Sequence, residues 1–269
     1  MQDAEDNLTS TLVVEDAGAV RTVTLNRPER RNAMTSGMQE ELIAAMEEAA
    51  ASPDCRVLVF RGAGEAFCAG LDLEQLKGMA GRSAEEQRAD AERIARLFRT
   101  LYELPLPTIA AVHGAAIAGG TGLATICDYT LAAPEARFGY TEVRIGFVPA
   151  LVSAFLVLQV GDKRARGLLL SGRLFGAEEA KELGLVSEVV AREALGARVQ
   201  ELAGVLGANS PMSMAMTKRL LADQNRVWLD RAIGMAMEAN ARSRGTGDFV
   251  EGVTAFLEKR RPMWGRSGS

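Results

Sequence analysis

Two glycine-rich stretches and one glutamate are the residues of this chain whose types and spacing suggest chemistry. The stretches are FCAGLD at residues 67–72 and HGAAIAGGTG at residues 113–122, and each follows an apolar run typical of a buried strand. Such turns leave backbone N–H groups free where a strand ends, and two N–H groups aimed at one oxygen stabilise an oxyanion. Glu142 lies twenty residues after the second stretch. A carboxylate there can carry the proton transfer that such a site needs.

The elements that must position these residues are predicted from hydrophobic periodicity. Residues 12–15 and 20–25 are β-branched runs separated by a turn, which predicts a β-hairpin. Residues 36–50 have one apolar face at helical spacing, and residues 57–60, 109–112 and 129–133 are continuous apolar strands. Because strands alternate with helices, we expect a parallel sheet with helices packed on it.

Further helices are predicted around and after the glycine-rich stretches. Residues 73–82 are expected to form a loop, and the capping box SAEE at 83–86 begins a helix that extends to about residue 104. Gly119 or Gly120 begins the next helix. A helix over 162–170 is predicted with Asp162 as its N-cap, and residues 187–190 form a late strand. From residue 191 the pattern is helical, with breaks at 209–211 and 244–247.

Six stretches, in this order, resemble the enoyl-CoA hydratase/isomerase (crotonase) superfamily. Besides the two glycine-rich stretches they are LNRP at 25–28 with NA at 32–33, VLVFRG at 57–62, GDKRAR at 161–166 leading to SG at 171–172, and AFLEK at 255–259. The likeness extends from about residue 13 to about residue 264. It implies an α/β fold, a crotonase-like spiral of ββα units over residues 1–209, with a helical C-terminal trimerisation region over residues 210–269. It also implies a homotrimer or a dimer of trimers.

Members of this superfamily bind acyl-CoA thioesters and stabilise a thioester enolate with two backbone N–H groups. Carried over onto this sequence, those donors are Leu71 and Gly119, and Glu142 is the acid/base. Coenzyme A is then part of the substrate, so the resemblance implies no separate cofactor and no metal. The implied substrate-binding residues are Arg27, Ala69, Asp72, Gly120, Phe256 and Lys259.

The sequence departs from the family pattern at one important position. Hydratases of the family use two glutamates, and the first would lie three residues after Gly119, where this chain has Gly122. A lone glutamate suits the isomerisation of a 3-enoyl-CoA, whereas the overall resemblance favours a hydratase. An acyl-CoA-binding protein with little catalysis is a third hypothesis. If the chain is a hydratase that lost one carboxylate, Gly122→Glu should raise hydration.

Composition excludes several other classes of protein. The 269 residues are 48% hydrophobic and 25% charged, as in ordinary globular proteins, and the net charge of −4 argues against nucleic acid or a membrane as partner. Three cysteines without CxxC spacing favour a reducing, cytoplasmic location over a disulfide framework or a metal site. Residues 1–10 are polar and acidic and indicate a short tail, with no sign of a signal peptide.

The sequence does not favour a dinucleotide-binding motif or a catalytic histidine. The sequence GAGEAF at 62–67 resembles the start of a dinucleotide fingerprint, but Phe67 replaces the third glycine, so NAD or FAD binding is not expected. His113 is the only histidine. It lies in an apolar run, which favours a structural hydrogen bond over catalysis.

Overall fold

Two β-sheets organise the protein, and the computed structural model describes residues 10–79 and 81–265. The six-stranded sheet has the order β1-β2-β3-β4-β6-β9, and the three-stranded sheet has the order β5-β7-β8. The strands are β1 Leu12–Ala17, β2 Val20–Leu25, β3 Val57–Gly62, β4 Thr108–Val112, β5 Ala115–Ile117, β6 Tyr129–Ala132, β7 Arg137–Gly139, β8 Phe175–Gly176 and β9 Glu188–Val189. The helices are α1 Ser36–Ala51, α2 Leu73–Met79, α3 Ala84–Glu103, α4 Gly119–Ile126, α5 Ala150–Val160, α6 Asp162–Ser171, α7 Ala177–Glu182, α8 Arg192–Ala208, α9 Pro211–Ser243 and α10 Gly247–Leu257.

The large sheet agrees with the sequence prediction. Strands β1 and β2 form the antiparallel hairpin, with Leu12 opposite Leu25, and β2, β3, β4, β6 and β9 then pair in parallel. Strand β3 is almost fully buried, because helices cover both faces of a parallel sheet. One face packs against α1, α3, α5 and α9 in the main core, and the other packs against α8.

The three-stranded sheet was not predicted from the sequence. Strand β5 pairs in parallel with β7, and β7 pairs antiparallel with the two-residue strand β8. Runs of two or three residues carry too little periodicity to be recognised. This sheet matters because β5 leads directly to the second glycine-rich turn, and β7 ends three residues before Glu142.

The predicted N-terminus of α3 is confirmed, whereas the predicted cap of α6 and a predicted loop are wrong. The capping box of α3 is present, because Ser83 accepts from the Glu86 N–H while the Glu86 side chain accepts from the Ser83 N–H. Asp162 is not an N-cap: Gly161, at φ 77°, holds that position, and Asp162 pairs with Arg166 one turn along. The loop expected over 73–82 contains helix α2.

Helix α2 forms because its N-terminus is capped by Asp72. The Asp72 carboxylate accepts hydrogen bonds from the backbone N–H groups of Glu74 and Gln75 at 3.1 and 3.3 Å. Side-chain capping of this kind satisfies donors that the first helical turn leaves free. The prediction of a loop was wrong because it weighed Gly78 and Gly81 and overlooked the cap.

The C-terminal helices pack on the rest of the chain. The predicted boundary between residues 209 and 210 falls in the break between α8 and α9. Helix α9 contributes Leu229, Ile233 and Ala236 to the main core, and α10 packs against α2 in a smaller cluster with Phe147. In the part of the chain that the structure describes, no helix combines the length and the apolar character needed to cross a bilayer. The predicted N-terminal tail lies outside the described residues, except for Ser10.

Candidate active site

The first glycine-rich turn is held by backbone hydrogen bonds on both sides. The Cys68 N–H donates to the Ala115 carbonyl, joining the turn to β5. Two residues on, the Met34 N–H donates to the Gly70 carbonyl at 2.7 Å, and the Asp72 N–H donates to the Met34 carbonyl at 3.0 Å. In a parallel bridge of this kind, the polar groups of the middle residue point away from the partner strand. The N–H of Leu71 therefore points away from Met34, and it makes no hydrogen bond within residues 10–79 and 81–265.

The second glycine-rich turn supplies a matching donor. Gly119 is the first residue of α4, where a backbone N–H has no partner inside the helix and lies at the positive end of the helix dipole. A Cβ on Gly70 would lie 3.6 Å from the Gly119 nitrogen. The structure therefore brings the two turns into contact, with the Leu71 and Gly119 N–H groups at their junction.

Close backbone packing explains the glycine at position 120. A Cβ on Gly120 would lie 2.2 Å from the Cys68 carbonyl oxygen, a distance that no side chain tolerates. Gly120 thus allows the two turns to touch, and this contact keeps the N–H groups of Leu71 and Gly119 close to each other.

Ala118, the residue before α4, has a strained backbone. Its φ of 53° and ψ of −122° lie in a region that residues with a Cβ rarely adopt, at a cost of about 1–3 kcal/mol. The Ala118 N–H donates to the Gly139 carbonyl at 2.6 Å. This bond holds the conformation and orients the start of α4.

Glu142, the predicted acid/base, has a buried carboxyl group. It begins a 3-10 turn, Glu142–Ile145, after β7, and it is only 7% exposed. Its Oε2 atom has no hydrogen-bond partner among the described residues. Burial disfavours the charged form and raises the pKa of Glu142 to about 7. A carboxyl with this pKa can both accept and donate a proton near neutrality.

A cavity of about 150 Å³ joins these groups. Five of the predicted site residues line it: the donors Leu71 and Gly119, the acid Glu142, and Ala69 and Phe256. Phe256 is 58% exposed, so it lies at the mouth. The other lining residues are Leu73, Leu76, Ile94, Phe98, Ile117, Ala118, Thr141, Ile145, Phe147, Val148, Pro149, Ala150, Leu151, Val152 and Asn240.

Four predicted substrate-binding residues lie outside the cavity wall. Arg27 pairs with Asp72 at 3.0 Å and donates to the Ala33 carbonyl at 2.5 Å, so both side chains brace the first turn and α2. Gly120 contacts the first turn, as described above. Lys259 is exposed just beyond α10.

The space beside Gly122 is filled with apolar groups. A Cβ there would lie 2.7 Å from Val152 Cγ1 and 3.2 Å from Phe98 Cζ, and both side chains line the cavity. A glutamate at this position therefore requires Val152 and Phe98 to move, which argues against the expectation that Gly122→Glu raises hydration. Glu142 is the one acid among the described residues that line the cavity.

The sequence analysis predicted the role of one polar residue, His113, and missed another, Asn240. The His113 Nε2 atom is 2.9 Å from the Gly64 carbonyl oxygen, away from the cavity wall, as the structural hypothesis expects. Asn240 was missed, although it lines the cavity. The signal was present in the sequence, because Leu229, Ile233 and Ala236 form an apolar stripe at helical spacing and Asn240 is its next member.

Comparisons with known proteins agree over nearly the whole chain. A sequence model of the family described as enoyl-CoA hydratase/isomerase matches residues 15–267. A putative enoyl-CoA hydratase of Thermus thermophilus is 45% identical over 253 residues, which are 94% of this chain and 100% of that protein. The 1,2-epoxyphenylacetyl-CoA isomerase of Escherichia coli is 33% identical over 247 residues, 91% of this chain and 94% of that one. The crystal structure of an enoyl-CoA hydratase/isomerase from Xanthobacter autotrophicus superposes with a TM-score of 0.87 at 32% identity, covering 93% of each chain.

Proposed function

This chain belongs to the enoyl-CoA hydratase/isomerase (crotonase) family, and we propose that it is an enoyl-CoA hydratase-type enzyme with Glu142 as its acid/base. One observation carries the proposal: the buried carboxyl of Glu142, whose Oε2 has no partner among the described residues, lines the same cavity as Leu71 and Gly119, whose N–H groups make no hydrogen bond to those residues. The thioester carbonyl oxygen accepts hydrogen bonds from both donors, which stabilise the enolate that forms during reaction.

In hydration, one carboxylate performs two proton transfers. Glu142 takes a proton from water as the water oxygen bonds to C3 of a 2-enoyl-CoA, and the C2–C3 π electrons move toward the thioester oxygen. The protonated Glu142 then returns the proton to C2, which gives a 3-hydroxyacyl-CoA. Its pKa of about 7 suits both steps, since neither protonation state is strongly favoured near neutral pH.

Isomerisation of a 3-enoyl-CoA is a second candidate, and the filled space at Gly122 favours it. Glu142 takes a proton from C2, the dienolate charge rests on the thioester oxygen, and the proton returns at C4. This path needs no water and no second carboxyl. The apolar contacts of Phe98 and Val152 with that space are compatible with such a dry reaction.

The donors and the acid serve the acyl end, and the remaining predicted residues are proposed to contact coenzyme A. Phe256 at the cavity mouth and exposed Lys259, three residues further on, can meet the anionic nucleotide portion. Arg27 is anchored beside the first turn through Asp72. Coenzyme A is then part of the substrate.

Self-association as a trimer or a dimer of trimers is proposed from the surface of α9. Its exposed apolar side chains include Met212, Met216, Leu220, Leu221, Val227, Trp228 and Met235. An apolar surface of this kind marks an interaction site, and sedimentation equilibrium measures the assembly. Three free, buried cysteines fit a proposed cytoplasmic location, where thiols stay reduced.

The test is a side-by-side assay on but-2-enoyl-CoA and hex-3-enoyl-CoA that follows the absorbance of the conjugated thioester and identifies products by mass. The variants are wild type, Glu142→Gln, and the matched surface control Glu135→Gln, whose glutamate is exposed and pairs with Arg192. A hydratase consumes the 2-enoyl absorbance and adds one water to the product, and Glu142→Gln lowers this rate by about 10²–10⁴-fold.

The other possible results of this assay identify an isomerase or a binding protein, or refute the role of Glu142. Gain of absorbance from the 3-enoyl substrate alone, dependent on Glu142, establishes the isomerase. Tight thioester binding without turnover of either substrate establishes a binding protein. Full activity in Glu142→Gln refutes the assignment of the acid/base.

A further inference from the structure

The cavity wall carries few polar side chains. Among the described residues that line it, these are Thr141, Glu142 and Asn240. Thr141 directly precedes Glu142 in the chain. Asn240 comes from α9, a different part of the fold, and the proposed acid/base chemistry gives it no role.

Asn240 has a buried amide oxygen without a hydrogen-bond partner among the described residues. It is 3% exposed, and its Oδ1 makes no hydrogen bond to the described residues. A buried polar atom without a hydrogen bond is costly, and such atoms are rare in folded proteins. An amide that lines a cavity and lacks a protein partner is available to a ligand that fills the cavity.

Contacts between α3 and α9 show where along the cavity this amide lies. The helices run antiparallel, because Tyr102 accepts from Asn225 at 3.0 Å near one end and Asp90 pairs with Arg244 at 2.5 Å near the other. Asn240 lies one turn before Arg244, near the Asp90 end of this contact, and lines the same cavity as Ile94, which is one turn after Asp90.

Phe98 separates the amide from the reacting end. Its ring is 3.9 Å from the Cβ position of Gly119, so it packs beside the oxyanion donors. Ile94 lies one turn away along α3, about 5 Å toward Asp90, and Asn240 lies toward the same end of the contact between α3 and α9. The amide therefore lies where the acyl chain of a bound thioester extends, beyond its reacting carbons.

The neighbouring charged side chains lie outside the cavity wall. Arg244 is fully buried and pairs with Asp90, while its guanidinium also lies over the Phe147 ring at 5.6 Å. Arg93 pairs with the same Asp90. Two guanidinium groups share the one carboxylate of Asp90, and neither arginine lines the cavity in the part of the chain that the structure describes. An acyl chain ending in a carboxylate therefore meets no cation on the cavity wall and would be desolvated at a high cost. A neutral group needs only a hydrogen bond, and the amide offers both a donor and an acceptor.

We propose that Asn240 determines substrate specificity by hydrogen-bonding a neutral carbonyl or hydroxyl group carried on the acyl chain of the thioester. The proposal rests on the proposed function for the identity of the ligand as an acyl-CoA. It adds the chemical class of the acyl group, which is apolar near the reacting carbons and polar further along.

Binding of saturated thioesters tests this without any turnover. Calorimetry compares hexanoyl-CoA with 5-oxohexanoyl-CoA, and heptanoyl-CoA with 6-oxoheptanoyl-CoA, on wild type, Asn240→Leu and the control Asn225→Leu. Asn225 lies on the same helix but bonds Tyr102 away from the cavity. We expect wild type to bind at least one oxo thioester about ten- to hundredfold more tightly than its unsubstituted analogue. Asn240→Leu should remove this preference while keeping or improving hexanoyl-CoA binding, and Asn225→Leu should retain it.

The outcomes distinguish this proposal from the proposed function. Binding of all the thioesters with equal affinity to wild type overturns the role of Asn240 and leaves the acyl-CoA enzyme intact. The same follows if Asn240→Leu keeps the preference. Tighter binding of adipoyl-CoA, which ends in a carboxylate, than of 5-oxohexanoyl-CoA overturns the neutral class. Failure to bind any of these thioesters refutes both proposals. The wild-type comparison is decisive even if the leucine variant does not fold.

Discussion

Replacing Glu142 by glutamine should stabilise the protein, and the gain should grow as the pH rises. The pKa of Glu142 is raised from its ordinary value of 4.5 to about 7 by burial. Between these two values the folded protein keeps a proton that the unfolded chain has lost. Folding then binds a proton, so stability falls as pH rises. The stability contribution is intact below about pH 4.5 and is lost progressively up to pH 7.

The magnitude follows from the size of the shift. One pKa unit corresponds to about 1.36 kcal/mol, so the full cost of an ionised Glu142 is about 3 kcal/mol above pH 7. Part of this cost is already present at pH 5, where most of the unfolded carboxyls are ionised. Between pH 5 and pH 9, the stability advantage of Glu142→Gln should therefore grow by about 2–3 kcal/mol.

Urea denaturation at both pH values and at fixed protein concentration measures this change. The control is Glu135→Gln, since the pKa of the exposed Glu135 is lowered and not raised, and it should show no trend between pH 5 and pH 9. A stability difference between wild type and Glu142→Gln that is the same at both pH values refutes the argument that burial penalises this carboxylate. In the active enzyme, kcat/KM should rise with pH through about 7, because the ionised form accepts the first proton.

Three further changes test the geometry of the site. Gly122→Glu should lower stability by about 1–3 kcal/mol through overpacking without raising hydration, and adding Val152→Ala should recover part of the melting temperature; a faster hydration rate would contradict this. Gly120→Ala should lower stability and activity together, because its Cβ would meet a backbone carbonyl at 2.2 Å. The control is Gly196→Ala on α8, where a Cβ meets nothing within 4 Å. This control should keep a melting temperature at or above that of wild type. Leu71→Pro removes the donor N–H and should lower kcat by about 10²–10³-fold, while Leu71→Ala keeps the donor; circular dichroism verifies folding, and an active proline variant would refute the oxyanion role.

The elements predicted best were those with long patterns of their own. The strand at Val57 is a continuous apolar run, and α3 begins at a capping box that needs only Ser83 and Glu86. The small sheet was missed because its strands are two or three residues long and are stabilised by pairing with distant segments. Asp162 was assigned as a cap from its residue type, but it is the first residue of the helix, and the N-cap is Gly161 at φ 77°, a conformation that glycine adopts readily.

Within the candidate site, motif and tertiary information contributed differently. Glu142 and the two glycine-rich turns were found from sequence, since each motif is local. The crowding that a carboxylate at position 122 would meet could not be seen in the sequence, because Val152 and Phe98 come from two other helices. Asn240 could have been noticed as a polar residue on an apolar stripe, but its place on the cavity wall depends on the register of α9 against α3.

A single carboxyl can serve this active site because the cavity makes that carboxyl unusually versatile. In water a glutamate is almost fully ionised at pH 7 and is a poor proton donor. The apolar wall around Glu142 removes that limit, and the same wall occupies the position where a second acid would stand. Phe98 contributes to both effects, since it lines the cavity and packs against Gly122. The absence of a carboxylate at position 122 and the raised pKa of Glu142 are therefore both consistent with the apolar packing of α3 and α5 against the second turn.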